Sequence, residues 1–184
     1  GDVDWADMDG DGLWDIVAAG IDSGGTRRLR VYRNTGGAFA APLDLAGLAY
    51  GNVALGDYNG DGRADILASG NDGTAAPNRQ LRVHVNGSSP GALSFPSMVN
   101  VPGAVDQGFD AVGTNNGGGC GLEWADMNSD GDLDVVVCGD DPSATARLYV
   151  YFNNGDGTFN TTPLAVSANF YRWGDLTVAD LNND

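Results

Sequence analysis

A nine-residue stretch, Asp7-Met8-Asp9-Gly10-Asp11-Gly12-Leu13-Trp14-Asp15, returns in the same form at 57–65 and 126–134, and it restricts the chain more than any other feature. Each copy carries oxygen-bearing side chains at positions 1, 3, 5 and 9 and a glycine at position 6. The sets are Asp7, Asp9, Asp11 and Asp15, then Asp57, Asn59, Asp61 and Asp65, then Asp126, Asn128, Asp130 and Asp134. Ca²⁺ is a hard cation that takes six to eight oxygens, and alternate residues of a tight loop can turn carboxylates inward while position 7 offers its carbonyl. Glycine at position 6 permits the sharp turn. A fourth copy opens with Asp180, Asn182 and Asp184, where the sequence ends.

The helix–loop–helix calcium motif shares this spacing but closes with a bidentate Glu at position 12. Here position 12 is Ala18, Ala68 or Val137, and short apolar runs (Ile16-Val17, Ile66-Leu67, Val135-Val136-Val137) follow each loop. The loop is therefore expected to join two β-strands, with position 9 closing the coordination sphere. In such loops Asp and Asn also form turns without metal. Three loops in the same register favour metal over turns alone.

Aligning on the loop exposes a longer repeat. An alternating segment precedes each copy, and the pairs Val3 and Trp5, Val53 and Leu55, and Leu122 and Trp124 are expected on one inward face. A Gly/Asp turn follows the apolar run, then a third strand beginning at Leu29, Leu81 or Leu148, then a turn leading to Phe39, Phe95 or Phe159, expected to start a fourth strand. The expected divisions are 1–50, 51–119 with an inserted loop at 97–119, 120–173, and 174–184 as the opening of a fourth repeat. The expected fold is all-β, made of three four-stranded propeller blades and the start of another. Three blades do not close a ring, so a larger ring or an assembly with further copies of the chain is expected.

Composition agrees. Of 25 acidic residues only Glu123 is a glutamate, all nine basic residues are arginines, and the net charge is −16. Scarce Glu and Lys with abundant Gly, Asp and Val favour strands and tight turns over helices. Such an anionic chain is a poor partner for nucleic acid, and no apolar run reaches the roughly 20 residues of a membrane helix. Thirteen of the acidic residues lie in the four loops, so the imbalance is largely accounted for if about three Ca²⁺ bind per chain.

Taken together, the strand, the D-x-[DN]-x-D-G-x-x-D loop, the apolar strand and L-x-V-x-x-N-x-G-x-F resemble the FG-GAP/VCBS repeats of integrin-alpha-like β-propellers. The resemblance implies calcium held by the twelve side chains above and by the position-7 carbonyls of Leu13, Arg63 and Asp132. It also implies adhesion.

Cys120 and Cys138 are expected to fall nearly opposite one another, as a disulfide or as two buried thiols. A bridge would imply an oxidising compartment, and weak calcium loops suit the millimolar calcium outside cells, so an extracellular address is expected. Asn86-Gly87-Ser88 and Asn160-Thr161-Thr162 match the glycosylation acceptor pattern, a match that arises readily by chance. His84, the sole histidine, is expected on the solvent side, and no Ser/His/Asp set can be assembled around it. Trp5 and Trp124 are expected in the core, and Trp14, Tyr171 and Trp173 in packing rather than in stacking on sugars.

The function expected is a non-catalytic, calcium-stabilised extracellular module for adhesion, binding or scaffolding, with a protein or glycan ligand on the cell surface or matrix. The alternatives are a lectin-like propeller, the propeller part of a polysaccharide-degrading enzyme, and a self-assembling filament subunit.

Overall fold

The computed structural model describes residues 1–49, 51–74, 79–102, 121–140, 146–167 and 176–179. Among these residues there are twelve strands and no helix, arranged as three four-stranded antiparallel sheets. The first holds β1 (Asp2–Ala6), β2 (Asp15–Ile21), β3 (Arg27–Tyr32) and β4 (Leu43–Leu45). The second holds β5 (Val53–Gly56), β6 (Asp65–Asn71), β7 (Arg79–Val85) and β8 (Ser97–Asn100). The third holds β9 (Leu122–Ala125), β10 (Asp134–Asp140), β11 (Ala146–Tyr151) and β12 (Leu164–Ser167). Each sheet is a meander in chain order, which is the architecture of a propeller blade.

The nine-residue loop closes the first hairpin of every blade. Position 9 begins the second strand and pairs with the residue just before the loop, as Ala6 with Asp15, Gly56 with Asp65 and Ala125 with Asp134.

Fourth strands start later than the phenylalanines. Phe39 and Phe159 make only isolated bridges, to Asn34 and Asn153, and β4, β8 and β12 each begin directly after a proline (Pro42, Pro96, Pro163). Proline cannot donate to a ladder and holds the residue before it extended, so regular pairing begins one residue beyond it. The second of these strands also corrects the expected inserted loop, because residues 97–100 pair with β7, Val99 lying opposite Val83. Residues 103–119 lie outside the described residues.

Stacking of the blades makes the core. Val17, Leu29 and Val31 of blade 1 meet Val53, Ile66 and Ala68 of blade 2 in one buried cluster. The opposite face of blade 2, with Ala54, Leu67, Leu81 and Val83, meets Leu122, Val135, Val137 and Tyr151 of blade 3 in another. Period-2 alternation thus sends successive residues of one strand to different neighbours, Ile66 and Ala68 to one side and Leu67 to the other. Innermost strands lie side by side, β1 against β5 and β5 against β9. Leu176, at the opening of the fourth repeat, sits against Gly121, where a Cβ would lie 2.1 Å from the Leu176 Cβ.

This stacking overturns three expectations. Trp5 is 55% exposed and Val3 is exposed, because they occupy on blade 1 the face that Leu55 and Val53 use to meet a preceding blade. Trp14 is 64% exposed and stacks on Trp5, ring centroids 6.5 Å apart, rather than packing in the core. His84 is not on the solvent side. On β7 it pairs with Ile66 of β6 and shares that residue's side of the sheet, towards blade 1, and it is only 4% exposed. Trp124 does pack against the core as expected. Tyr171 and Trp173 lie outside the described residues.

Candidate metal centre

Each loop is wound around the carboxylate at position 1. Asp7 accepts hydrogen bonds from the N–H groups of Gly10 (2.8 Å), Asp11 (3.1 Å) and Gly12 (2.8 Å). Asp57 accepts from Asp61 and Gly62, and Asp126 from Asp130 and Gly131. Position 3 caps the same turn, with Asp9, Asn59 and Asn128 each accepting from the N–H at position 5. Position 5 does so two residues on, where Asp11, Asp61 and Asp130 accept from Leu13, Arg63 and Asp132. The position-6 glycines Gly12, Gly62 and Gly131 have φ of 87°, 85° and 94°, a region that side chains with a Cβ avoid. The loop sequence thus dictates the turn, and the turn gathers the oxygens.

Position 9 plays a different part. Asp15, Asp65 and Asp134 are fully buried. In each, Oδ2 accepts from the N–H at position 2 (Met8 at 3.0 Å, Tyr58 at 3.2 Å, Met127 at 2.9 Å). Oδ1 accepts from the N–H of an asparagine just past the third strand (Asn34 and Asn86 at 2.7 Å, Asn153 at 2.9 Å). One carboxylate therefore ties the loop to the far hairpin of its own blade. Burial pushes Asp15 and Asp134 above the usual carboxylate range and Asp65 up to about 6, against the pull of those N–H bonds. A buried carboxylate kept short of negative charge is one that a cation would help to ionise.

The donor set suits a hard divalent cation. Oxygens bound to one Ca²⁺ at about 2.4 Å lie no more than about 4.8 Å apart. Carboxylate oxygens of Asp7, Asp9 and Asp15 lie within 4.8 Å of one another. Each carboxylate has about four lone-pair directions, so accepting two or three N–H groups leaves capacity for a metal. The second and third loops place Asp57, Asn59, Asp61 and Asp65, and Asp126, Asn128, Asp130 and Asp134, in the same hydrogen-bond pattern. Of the position-7 residues, Leu13 is half-buried, Arg63 donates its guanidinium to Asp61 and to the Asn86 carbonyl, and Asp132 reaches to within 2.7 Å of where a Cβ on Gly155 would stand. In the first loop, Arg33 approaches Asp9 and Asp11 at 3.9 and 3.8 Å.

Sequence reasoning placed the asparagine after the third strand in the repeat motif but gave it no role. Asn86 and Asn153 are buried, and their side-chain amides reach two carbonyls at once. Asn86 donates to Ala64 of its own loop and to Met8 of the preceding blade's loop, both at 2.8 Å. Asn153 donates to Leu133 at 3.3 Å and to Tyr58 of the preceding blade at 2.9 Å. The signal was the invariant spacing of Asn34, Asn86 and Asn153 after each third strand. A fully buried Asn86 with both amide hydrogens engaged offers nothing to a glycosyl donor, in keeping with the reading of the acceptor pattern at 86–88 as a chance match.

The register of β9 and β10 places Cys138 opposite Gly121, with Leu122 facing Val137. The Cys138 N–H donates to the Gly121 carbonyl, and its Sγ accepts from the Gly121 N–H at 3.0 Å. Cys120, the other half of the expected pair, lies outside the described residues, as does the loop opening at Asp180.

No curated protein matches the chain. A family model for the FG-GAP-like repeat matches residues 7–68 and 126–184, more than half of the 184 residues. With three four-stranded sheets each closed by the same loop, the chain belongs to the FG-GAP-like repeat family.

Proposed function

We propose that the chain is a calcium-stabilised, non-catalytic extracellular β-propeller module that serves adhesion, binding or scaffolding. The observation that carries this reading is the threefold recurrence of one loop with the same hydrogen-bond pattern and a buried carboxylate at position 9, together with the approach of the Asp7, Asp9 and Asp15 oxygens to within 4.8 Å of one another in the first copy. About three Ca²⁺ would offset much of the loop charge and hold the rim of each blade rigid. Ligands, protein or glycan, would then meet the remaining loops. Repeats of this family are typical of extracellular proteins, and among the described residues no helix is long and apolar enough to cross a membrane. The absence of catalysis is supported by the sole histidine being buried between blades and by the loop carboxylates being wrapped in backbone N–H groups.

Thermal unfolding with calcium and with chelator, combined with elemental analysis, tests the reading. A large rise in Tm with about three calcium ions per chain is expected. No shift and no bound metal would leave the loops as Asx turns alone.

A further inference from the structure

The three loops are joined by one unbroken series of hydrogen bonds. The Asp15 carboxylate accepts from the N–H of Met8, and the Met8 carbonyl accepts from the Asn86 side chain. The N–H of Asn86 donates to Asp65, which also accepts from the N–H of Tyr58. The Tyr58 carbonyl accepts from the Asn153 side chain, and the N–H of Asn153 donates to Asp134, which accepts in turn from Met127. Every link is between residues of adjacent blades or within one blade, and Asp15, Asp65, Asn86, Asn153 and Asp134 are all buried.

A second tie joins the first loop to blade 2. Asp9 is buried, and its Oδ2 accepts from the N–H of Gly91, in the turn between β7 and β8, at 2.9 Å. Positions 3 of the other loops are Asn59 and Asn128.

We propose that Asn86 and Asn153 are positioning residues that couple neighbouring loops, so that filling one calcium loop raises the affinity of the next. The inference rests on the calcium reading above. Its physical basis is that the two peptide groups flanking each position-2 residue are shared. The N–H side fixes the carboxylate at position 9 of one loop, and the carbonyl side fixes the asparagine whose own N–H fixes position 9 of the next. Ordering one loop around a cation therefore orders part of its neighbour in advance, and hydrogen bonds in series polarise one another where water is excluded.

The test uses the full chain with the third loop silenced by Asp126→Asn and Asp130→Asn, leaving two loops joined through Asn86. Calorimetric titration with calcium is expected to show the second ion binding at least about fivefold more tightly than the first, within the usual range of coupling between sites. Asn86→Asp, which keeps the side-chain size and the acceptor for the Ser88 N–H but removes both donors, is expected to make the two sites independent. A separate measurement leaves Asn86 in place. With loop 2 silenced by Asp57→Asn and Asp61→Asn, filling loop 1 should shift the NMR signals of the Asn86 side-chain amide. Two independent sites with an unmoved Asn86 amide would overturn the coupling and leave the calcium reading standing. No calcium binding in the unaltered chain would overturn both.

Discussion

Tyr58 and Trp124 stack face to face with ring centroids 6.0 Å apart and planes 21° from parallel, one ring from the loop of blade 2 and the other from the first strand of blade 3. Phe159 completes the group, 6.0 Å from Tyr58 and 6.3 Å from Trp124. At the preceding interface Met8 takes the place of Tyr58, in a cluster with Leu55 and Phe95. Position 2 of the first two loops is thus the plug that seats one blade in the next.

Truncating the plug should be costly. Tyr58 is 5% exposed, and Tyr58→Ala should lower stability by about 3–5 kcal/mol, the usual range for deleting a buried aromatic. Phe39 is the blade 1 counterpart of Phe159 and is 50% exposed, so Phe39→Ala should cost less than about 1 kcal/mol. Urea denaturation of both variants checks the contrast, and equal losses would refute this picture of the interface.

His84 supplies a pH dependence with a definite sign. Burial, with a smaller contribution from the Arg82 charge, pushes its imidazole down to about 4, below the value in the unfolded chain. The folded form therefore binds fewer protons than the unfolded form between about pH 4 and 6.5. Stability from this group is complete above about pH 6.5 and is withdrawn as pH falls towards 4, a loss of roughly 3 kcal/mol. Denaturation in chelator at pH 7, 5.5 and 4.5 should show a steeper fall in the unaltered protein than in His84→Leu.

Asp65 works in the opposite direction while metal is absent. Its carboxyl, pushed up to about 6 chiefly by burial, holds a proton in the folded state that the unfolded chain has released. Its contribution to the metal-free fold therefore declines from about pH 4 to pH 6. Ligation needs the ionised form, so calcium should displace that proton. Titration near pH 5.5 in buffers of different ionisation enthalpy should show proton release, and Asp65→Asn should abolish it at that loop.

Gly51 leaves no room for a side chain. A Cβ there would stand 1.6 Å from the carbonyl oxygen of Ser69, across the first hairpin of blade 2. Because the obstacle is backbone, Gly51→Ala should cost about 3 kcal/mol or more, at the upper end for overpacked sites. A Tm within a degree or two of the parent would show that the strands can separate locally.

The loops and inner strands could be read from the sequence because their determinants are local. Asp at position 1 and glycine at position 6 fix the turn, and alternation fixes the strands on either side. The start of the fourth strand was also local, but its marker was the proline at 42, 96 and 163 rather than the more conspicuous phenylalanine. What alternation could not supply was the identity of the neighbour. Trp5 and Trp124 have the same place in the repeat, yet one is exposed and the other packs beside Tyr58. His84 was misread for the same reason, since a blade in the middle of a stack has no solvent face. The asparagine recurs in the repeat, but the side-chain reach of Asn86 and Asn153, across 78 and 95 residues, belongs to the stacking, which the recurrence alone does not reveal.

Strand β6 has six of its seven residues buried, with one face against each neighbouring sheet. Its amide hydrogens can meet solvent only when an interface parts, whereas those of β4, β8 and β12, at the sheet edges, need only a strand to lift. Deuterium should therefore enter the molecule from the rim inward, and the last protons to leave should be those of Ile66 to Ser69, so the lifetime of the whole stack can be read from one short stretch of peptide.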